Sequence, residues 1–379
     1  MAVGDVDVSF GVVMTSPSVA PSAGPSSAGT AGPRSSRGVL RVALFILGVG
    51  VLVAILALAG WDSVAANLSA IGWWFPVLVL GYGLAELAFT YGWQVIIGRR
   101  RDGPVRFPDT FAAYMASCFV NYFTAVGGEP VRANLLAGKI GYPRALATAT
   151  VHRHAEMTSQ FVFLLLGAGA SLVHFELPGV LRYAALAGLG LLGAIILWMT
   201  IALRRGLFAV AIDRLARGPL RRLERFRPMA AVLDERIGEI YERRQEHFLE
   251  STGWCFLGWC GGLLETYVVM RLLSPGAGIF EALAIETLAM LVNTVLFFVP
   301  ARIGTAEGVR TALWVLVGFS AAQGIAYGLV RRARELIWLA PGMVVLLKRH
   351  VLDIRHLHLT PGAAGPPPGA VAPRPPVPS

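Results

Sequence analysis

Asn121-Tyr-Phe-Thr-Ala-Val-Gly-Gly-Glu-Pro-Val-Arg132 closes an apolar run that opens at Asp109. Helix is expected as far as Gly127-Gly128, where the chain must break. Pro130 has no amide hydrogen and restricts Glu129 before it, so Gly127, Gly128 and Pro130 mark a hairpin tip. An acid, Glu129, and a base, Arg132, are expected to lie in that broken segment. The same grammar returns in Asn293-Thr-Val-Leu-Phe-Phe-Val-Pro-Ala-Arg-Ile-Gly-Thr-Ala-Glu-Gly-Val-Arg310, with its break at Pro300 to Gly304. Glu129 and Glu307 are 178 residues apart, and so are Arg132 and Arg310.

Other charged positions keep nearly the same spacing. Gly83-Leu-Ala-Glu86 matches Gly262-Leu-Leu-Glu265, and Arg153-His-Ala-Glu156 matches Arg332-Ala-Arg-Glu335, each pair 179 apart. Charged residues inside apolar runs are rare, so their recurrence points to a duplicated unit.

Composition sets the environment. Of 379 residues, 55% are hydrophobic and only 15% charged, against roughly a quarter charged in soluble domains. An integral membrane protein with several spans is expected. The net charge of +10 would suggest nucleic acid in a soluble protein. Here the basic residues cluster between apolar runs, as a positive-inside bias and contact with anionic headgroups require, and no nucleic-acid module surrounds them. Cys118, Cys255 and Cys260 all lie in apolar stretches without His or Cys partners at ligand spacing, so neither a disulfide nor a zinc site is expected. His152, His154 and Glu156 stand at i, i+2, i+4, which turns His154 away from the other two on a helix. No metal and no cofactor are expected.

Taken in order, residues 1–36 read as a disordered cytoplasmic leader. Residues 37–203 form a first membrane repeat, 204–246 an Arg-rich cytoplasmic segment, 247–348 a second repeat, and 349–379 a cytoplasmic Pro-rich tail. Ala57-Leu-Ala59 resembles a signal-peptidase site, but the run before it is longer than a signal core, so an uncleaved first span over 42–59 is expected. Residues 61–70 carry no Lys or Arg and read as an external loop. Full spans are expected near 71–97, 144–173, 180–203, 247–273 and 323–347. The segment 204–246 holds 11 arginines and 7 acids and reads most plainly as a solvated segment that sets topology, helical in part, lying against anionic headgroups.

The fold class is therefore all-α integral membrane: six transmembrane helices plus two re-entrant helical hairpins in two repeats, with both termini cytoplasmic. Three spans per unit is an odd number, so the second repeat must be inverted relative to the first. Inverted repeats with broken helices meeting near the midplane are the architecture of alternating-access transporters. Ionisable groups in such segments are costly unless paired or wetted. Arg132, Arg302 and Arg310 are candidates to engage an anionic headgroup, since opened helix ends and arginine suit a phosphate or carboxylate. Glu129, Glu307, Glu86 and Glu265 are candidates for gating or proton coupling. Arg153 with Glu156, and Arg332 with Glu335, are expected as supporting ion pairs on one helical face.

Gly-Gly-Glu-Pro-Val-Arg132, Val-Pro-Ala-Arg-Ile-Gly-Thr-Ala-Glu-Gly308 and Arg331-Arg-Ala-Arg-Glu-Leu-Ile-Trp-Leu-Ala-Pro-Gly342 resemble the flippase-like membrane domain of the lysylphosphatidylglycerol synthase family. The resemblance covers about residues 38–348. Its last two motifs are similar to the stand-alone members associated with hopanoid biosynthesis. In that family the second motif usually reads Pro-Gly-Gly-Leu-Gly; here Ala301-Arg302 replaces Gly-Gly and adds a charge. The resemblance implies translocation of an anionic or isoprenoid/hopanoid-type lipid in the bacterial inner membrane. It does not imply aminoacyl transfer, since a Pro-rich tail follows Thr360, and no nucleophile–base pair is visible, so an enzyme is not expected. Two rival readings stay open: a small-solute secondary transporter on the same architecture, and a non-transporting scaffold that recruits lipid-biosynthesis enzymes. Membrane lipids are the expected partners; a second copy of the chain remains open.

Overall fold

The computed structural model describes residues 61–98, 103–124, 127–176, 178–217, 221–295 and 305–348. The expected first span, the leader and the tail lie outside these residues, and so do Pro300, Arg302 and Gly304.

Every described element is helical. In chain order they are α1 (Trp61–Ile71), α2 (Trp74–Ile97), α3 (Phe107–Thr124), α4 (Gly128–Ile140), α5 (Tyr142–His174), α6 (Gly179–Arg204) and α7 (Leu207–Ala216). A short 3-10 turn at Arg221–Phe226 leads to α8 (Arg227–Arg243), α9 (Gln245–Leu273), α10 (Ile279–Val295), α11 (Thr305–Leu316) and α12 (Ala321–Lys348). Four of them, α2, α5, α6 and α9, are long and apolar enough to cross a membrane. α12 has the length but carries Arg331, Arg332, Arg334 and Glu335 at its middle.

Residues 61–70, expected as a loop, are a helix. Their polarity misled the reading, because the polar side chains fold back on their own backbone: Asn67 donates to the Ser63 carbonyl at 2.7 Å and Ser69 to that of Ala66 at 2.7 Å. The helix after the break starts earlier than expected: Gly127 takes the left-handed conformation, φ +117°, and caps α4, which begins at Gly128. Pro130 sits in the first turn, where its missing N–H costs nothing. Glu129 and Arg132 are thus helical residues, not members of an irregular segment. Asn121 on α3 closes the turn by accepting the Gly128 amide at 2.8 Å.

The apolar core has three parts. The largest gathers Ile285, Leu288 and Leu291 of α10 with Leu164 and Ala168 of α5, Val269 and Met270 of α9, and Trp314 of α11. A second holds the α3–α4 hairpin, through Met115, Ala133 and Leu136, against Trp93 of α2 and Ala145 and Ala149 of α5. A third packs Leu233, Ile237, Ile240 and Tyr241 of α8 on Val151 of α5 and Leu203 of α6. Outward, α6 exposes Leu186, Leu191, Leu197, Trp198 and Ile201, as a lipid-facing helix should.

Two crossings lock the bundle. α12 crosses α3 at Gly342, where an added Cβ would meet the Met115 carbonyl oxygen at 2.2 Å. α5 crosses α10 at Gly167, where a Cβ would meet the Thr287 side chain at 2.2 Å. The first obstacle is backbone and cannot rotate away. Gly342→Val is therefore expected to cost about 1–3 kcal/mol by overpacking, read as a lowered melting temperature of the detergent-solubilised protein; an unchanged melt would mean the crossing can slide.

Candidate functional site

The charged residues of the apolar helices converge on α12. Residues 331, 332 and 334 project at different angles around that helix, and each arginine reaches a different neighbour. Arg331 forks onto Glu286 of α10, Nη1 to Oε2 at 2.5 Å and Nη2 to Oε1 at 2.7 Å. Thr266 of α9 donates to the same carboxylate at 2.9 Å and Tyr327 at 3.2 Å. Arg332 reaches Glu307 of α11, with Nη2 at 2.6 Å from Oε1, and also donates to the Tyr122 hydroxyl of α3. Arg334, 1% exposed, pairs with Glu265 of α9 and lays its guanidinium on the Tyr82 ring of α2 at 3.7 Å. Glu335 lies between the three arginines, at 3.5 to 3.8 Å from each. One turn of one helix thus fastens α9, α10 and α11.

The other half carries a lighter version. Arg153 on α5 pairs with Glu156 at 3.2 Å and with Glu129 of α4 at 3.7 Å. The correspondence is close: Glu129–Arg153–Glu156 on one side, Glu307–Arg332–Glu335 on the other. Both glutamates lie in the first turn of the second hairpin helix, where the helix dipole favours an anion. Both arginines lie 11 residues into their helices, about 17 Å from the helix start at 1.5 Å per residue. The Arg153 side chain is 40% exposed, against 17% for Arg332.

Arg132 does not present its charge to an opening. It is 2% exposed, donates to the Ala149 carbonyl at 2.6 Å, contacts His152 Nδ1 at 3.2 Å and lies 4.8 Å from the Trp93 ring centre. Arginine can only donate, so Nδ1 of His152 accepts. The ring proton is then on Nε2, which donates to the Phe89 carbonyl at 3.0 Å. His154 faces elsewhere, to Tyr241 at 2.6 Å and Thr200 at 3.0 Å. The His152–His154–Glu156 trio therefore diverges.

Arg310 is the counterpart of Arg132 by spacing but not by environment. It is half-buried, and among the described residues it makes no hydrogen bond or ion pair within 4 Å; its Nε is shut from solvent with no partner. Glu86 and Glu265 also differ. Glu265 is held by Arg334, whereas the buried Oε2 of Glu86 has no partner.

Sequence reasoning singled out Glu129, Glu156, Glu307, Glu335, Arg153 and Arg332 but did not join the hairpin acids to the span arginines. It passed over Glu286, an acid in the apolar run of α10, and it passed over Arg331, which stands 179 residues after His152. The same rarity argument that found the others would have found Glu286.

Helices with apolar outer faces closed around a buried lattice of arginine–glutamate pairs make this an integral multi-pass membrane protein. The chain belongs to the lysylphosphatidylglycerol synthase TM region family, which matches residues 42–342. Searches of curated proteins and of solved structures return no significant match.

Proposed function

We propose that this protein is a flippase-like lipid transporter that moves an anionic or isoprenoid/hopanoid-type lipid between the leaflets of a bacterial inner membrane. The observation that carries the reading is the twofold recurrence of the hairpin-to-helix ion pair, Glu129–Arg153 and Glu307–Arg332, with each arginine 11 residues into its long helix. On this reading the α3–α4 and α10–α11 hairpins are re-entrant and belong to inverted repeats, with six spans and both termini cytoplasmic. The crossing partners support it: α12 of the second unit packs on α3 of the first, and α5 of the first packs on α10 of the second. Such an exchange is what two interlocked copies of one module produce.

The roles follow from the contacts. Arg310, with open hydrogen-bonding capacity, engages the headgroup together with Arg302. Arg132, whose Nη atoms are turned inward to the Ala149 carbonyl and His152, positions the hairpin. Glu129 and Glu307 gate by holding or releasing Arg153 and Arg332. Glu86 and Glu265 serve proton coupling. No covalent step is assigned to the chain. The recurrence of the pair in both halves favours this reading over a scaffold, which has no need of two matched hairpin-to-helix contacts.

The test is flipping of labelled phosphatidylglycerol in proteoliposomes. Arg310→Ala is expected to abolish it while expression and melting temperature stay near the parent's. Parent-like flipping in that variant would remove the headgroup assignment. No flipping by the parent, with phosphatidylglycerol or with the lipids that co-purify with it, would remove the function.

A further inference from the structure

Helix α7 carries a face that no described residue covers and that the transport reading does not use. It follows α6 directly: Arg204 ends the span, and Gly206, at φ +75°, turns the chain so that a new helix starts at Leu207. On α7, Leu207, Val210, Ala211 and Leu215 fall at i, i+3, i+4 and i+8, hence on one face. No residue of α7 is buried, and Val210 and Leu215 stand 45% and 49% exposed. Arg214 lies within this face, and Arg205 and Arg217 flank it; all three are exposed, while Arg204 lies 6.0 Å from the Tyr241 ring centre on the α8 side. The one acid of α7, Asp213, is turned away and pairs with Arg227 at 2.7 Å. The exposed side of α7 is thus apolar with a rim of three cations that no acid among the described residues pairs.

The seat of this face is fixed. Asp234 of α8 caps α7, accepting the amides of Phe208 at 3.1 Å and Ala209 at 2.7 Å. Phe208 packs into the cluster of α8, α5 and α6, and Tyr241 of α8 hydrogen-bonds His154 of α5 at 2.6 Å. The helix cannot roll to hide its leucines without breaking its own cap.

We propose that α7 is an interfacial helix that binds anionic phospholipid headgroups of the leaflet at this end of the bundle. Its Leu207–Leu215 face enters the acyl boundary, and Arg205, Arg214 and Arg217 bind the phosphates. Charge complementarity selects this occupant: a neutral protein surface would leave three cations unpaired, whereas an anionic leaflet pairs them while its acyl region covers the apolar face. The site lies on the surface beside α6, apart from the ion pairs of α12.

The experiment uses the full chain with Cys118 and Cys260 replaced by Ala and an environment-sensitive nitrobenzoxadiazole label on Val210→Cys. The protein is reconstituted in phosphatidylcholine with increasing phosphatidylglycerol. The expected result is a blue shift that saturates with phosphatidylglycerol and is quenched by lipids spin-labelled near the headgroup. The apparent binding constant for the phosphatidylglycerol surface is expected to fall about fivefold for each arginine changed to Gln at 214 and 217, so the half-shift moves to a higher phosphatidylglycerol fraction. A label insensitive to phosphatidylglycerol would overturn the proposal. So would a titration unchanged in the Arg214→Gln/Arg217→Gln variant. A blue-shifted label that lipid-borne quenchers do not reach would overturn it in favour of a second copy or another protein on this face. None of these readouts needs transport, so they stand or fall separately from the flipping assay.

Discussion

Arg334→Ala is expected to destabilise the protein by about 3–5 kcal/mol, the cost of stranding one member of a buried ion pair. Arg334 is 1% exposed and its partner Glu265 is 6% exposed, so no water replaces the lost guanidinium. The variant also strips the cation from the Tyr82 ring, which loosens α2 as well as α9. A collapse of the melting temperature in detergent is the expected readout. The control separates the pair from its packing: Arg334→Met with Glu265→Gln removes both charges at similar volume and should recover most of the loss. If the double variant melts as low as the single one, shape and not charge holds α12 to α9.

The second large effect is a contrast between the two halves. Arg332→Gln takes a cation from the buried carboxylate of Glu307 and releases Tyr122 of α3, so stability should again fall by about 3–5 kcal/mol. Arg153→Gln acts on a pair whose arginine is 40% exposed and sits 3.7 Å from Glu129, so solvent screening should limit the loss to about 0–1 kcal/mol. Transport is expected to vanish in both. Arg153→Gln is thus the variant that should fold like the parent and not flip lipid, read by melting temperature and by the proteoliposome assay together. A stable, active Arg153→Gln protein would deny the lighter half any gating role. Equal stability losses in both variants would show that the asymmetry of exposure has no energetic meaning.

Much of this organisation is legible in the amino-acid sequence. A charge within an apolar run is conspicuous, which is why Glu129, Arg153, Glu156, Glu307, Arg332 and Glu335 could be singled out and aligned by a constant spacing. Helix length and composition likewise mark α2, α5, α6 and α9. What periodicity cannot give is partnership across the fold. Glu129 meets Arg153 only because the α3–α4 hairpin returns beside α5, and Arg331 meets Glu286 only because α12 threads between helices far apart in the chain. Arg132 shows the limit most plainly. By residue type it fits an anion site, yet its Nη atoms are turned to the Ala149 carbonyl and His152, and neither carries a charge that a scan for acids would notice. Residues 61–70 form a helix instead of a loop for a related reason, since Asn67 and Ser69 satisfy themselves on backbone carbonyls and need no solvent.

The crossing at Gly342 has a consequence for biosynthesis. Helix α3 emerges from the ribosome more than two hundred residues before the glycine that its Met115 carbonyl rests against. Throughout that interval one flank of α3 has no protein to lean on, so the nascent first half must wait in the translocon, or in the care of an insertase, until the last helix threads into place. Chains that stall or are clipped before Gly342 should therefore be recognised as orphaned and degraded, however completely their earlier helices have entered the bilayer.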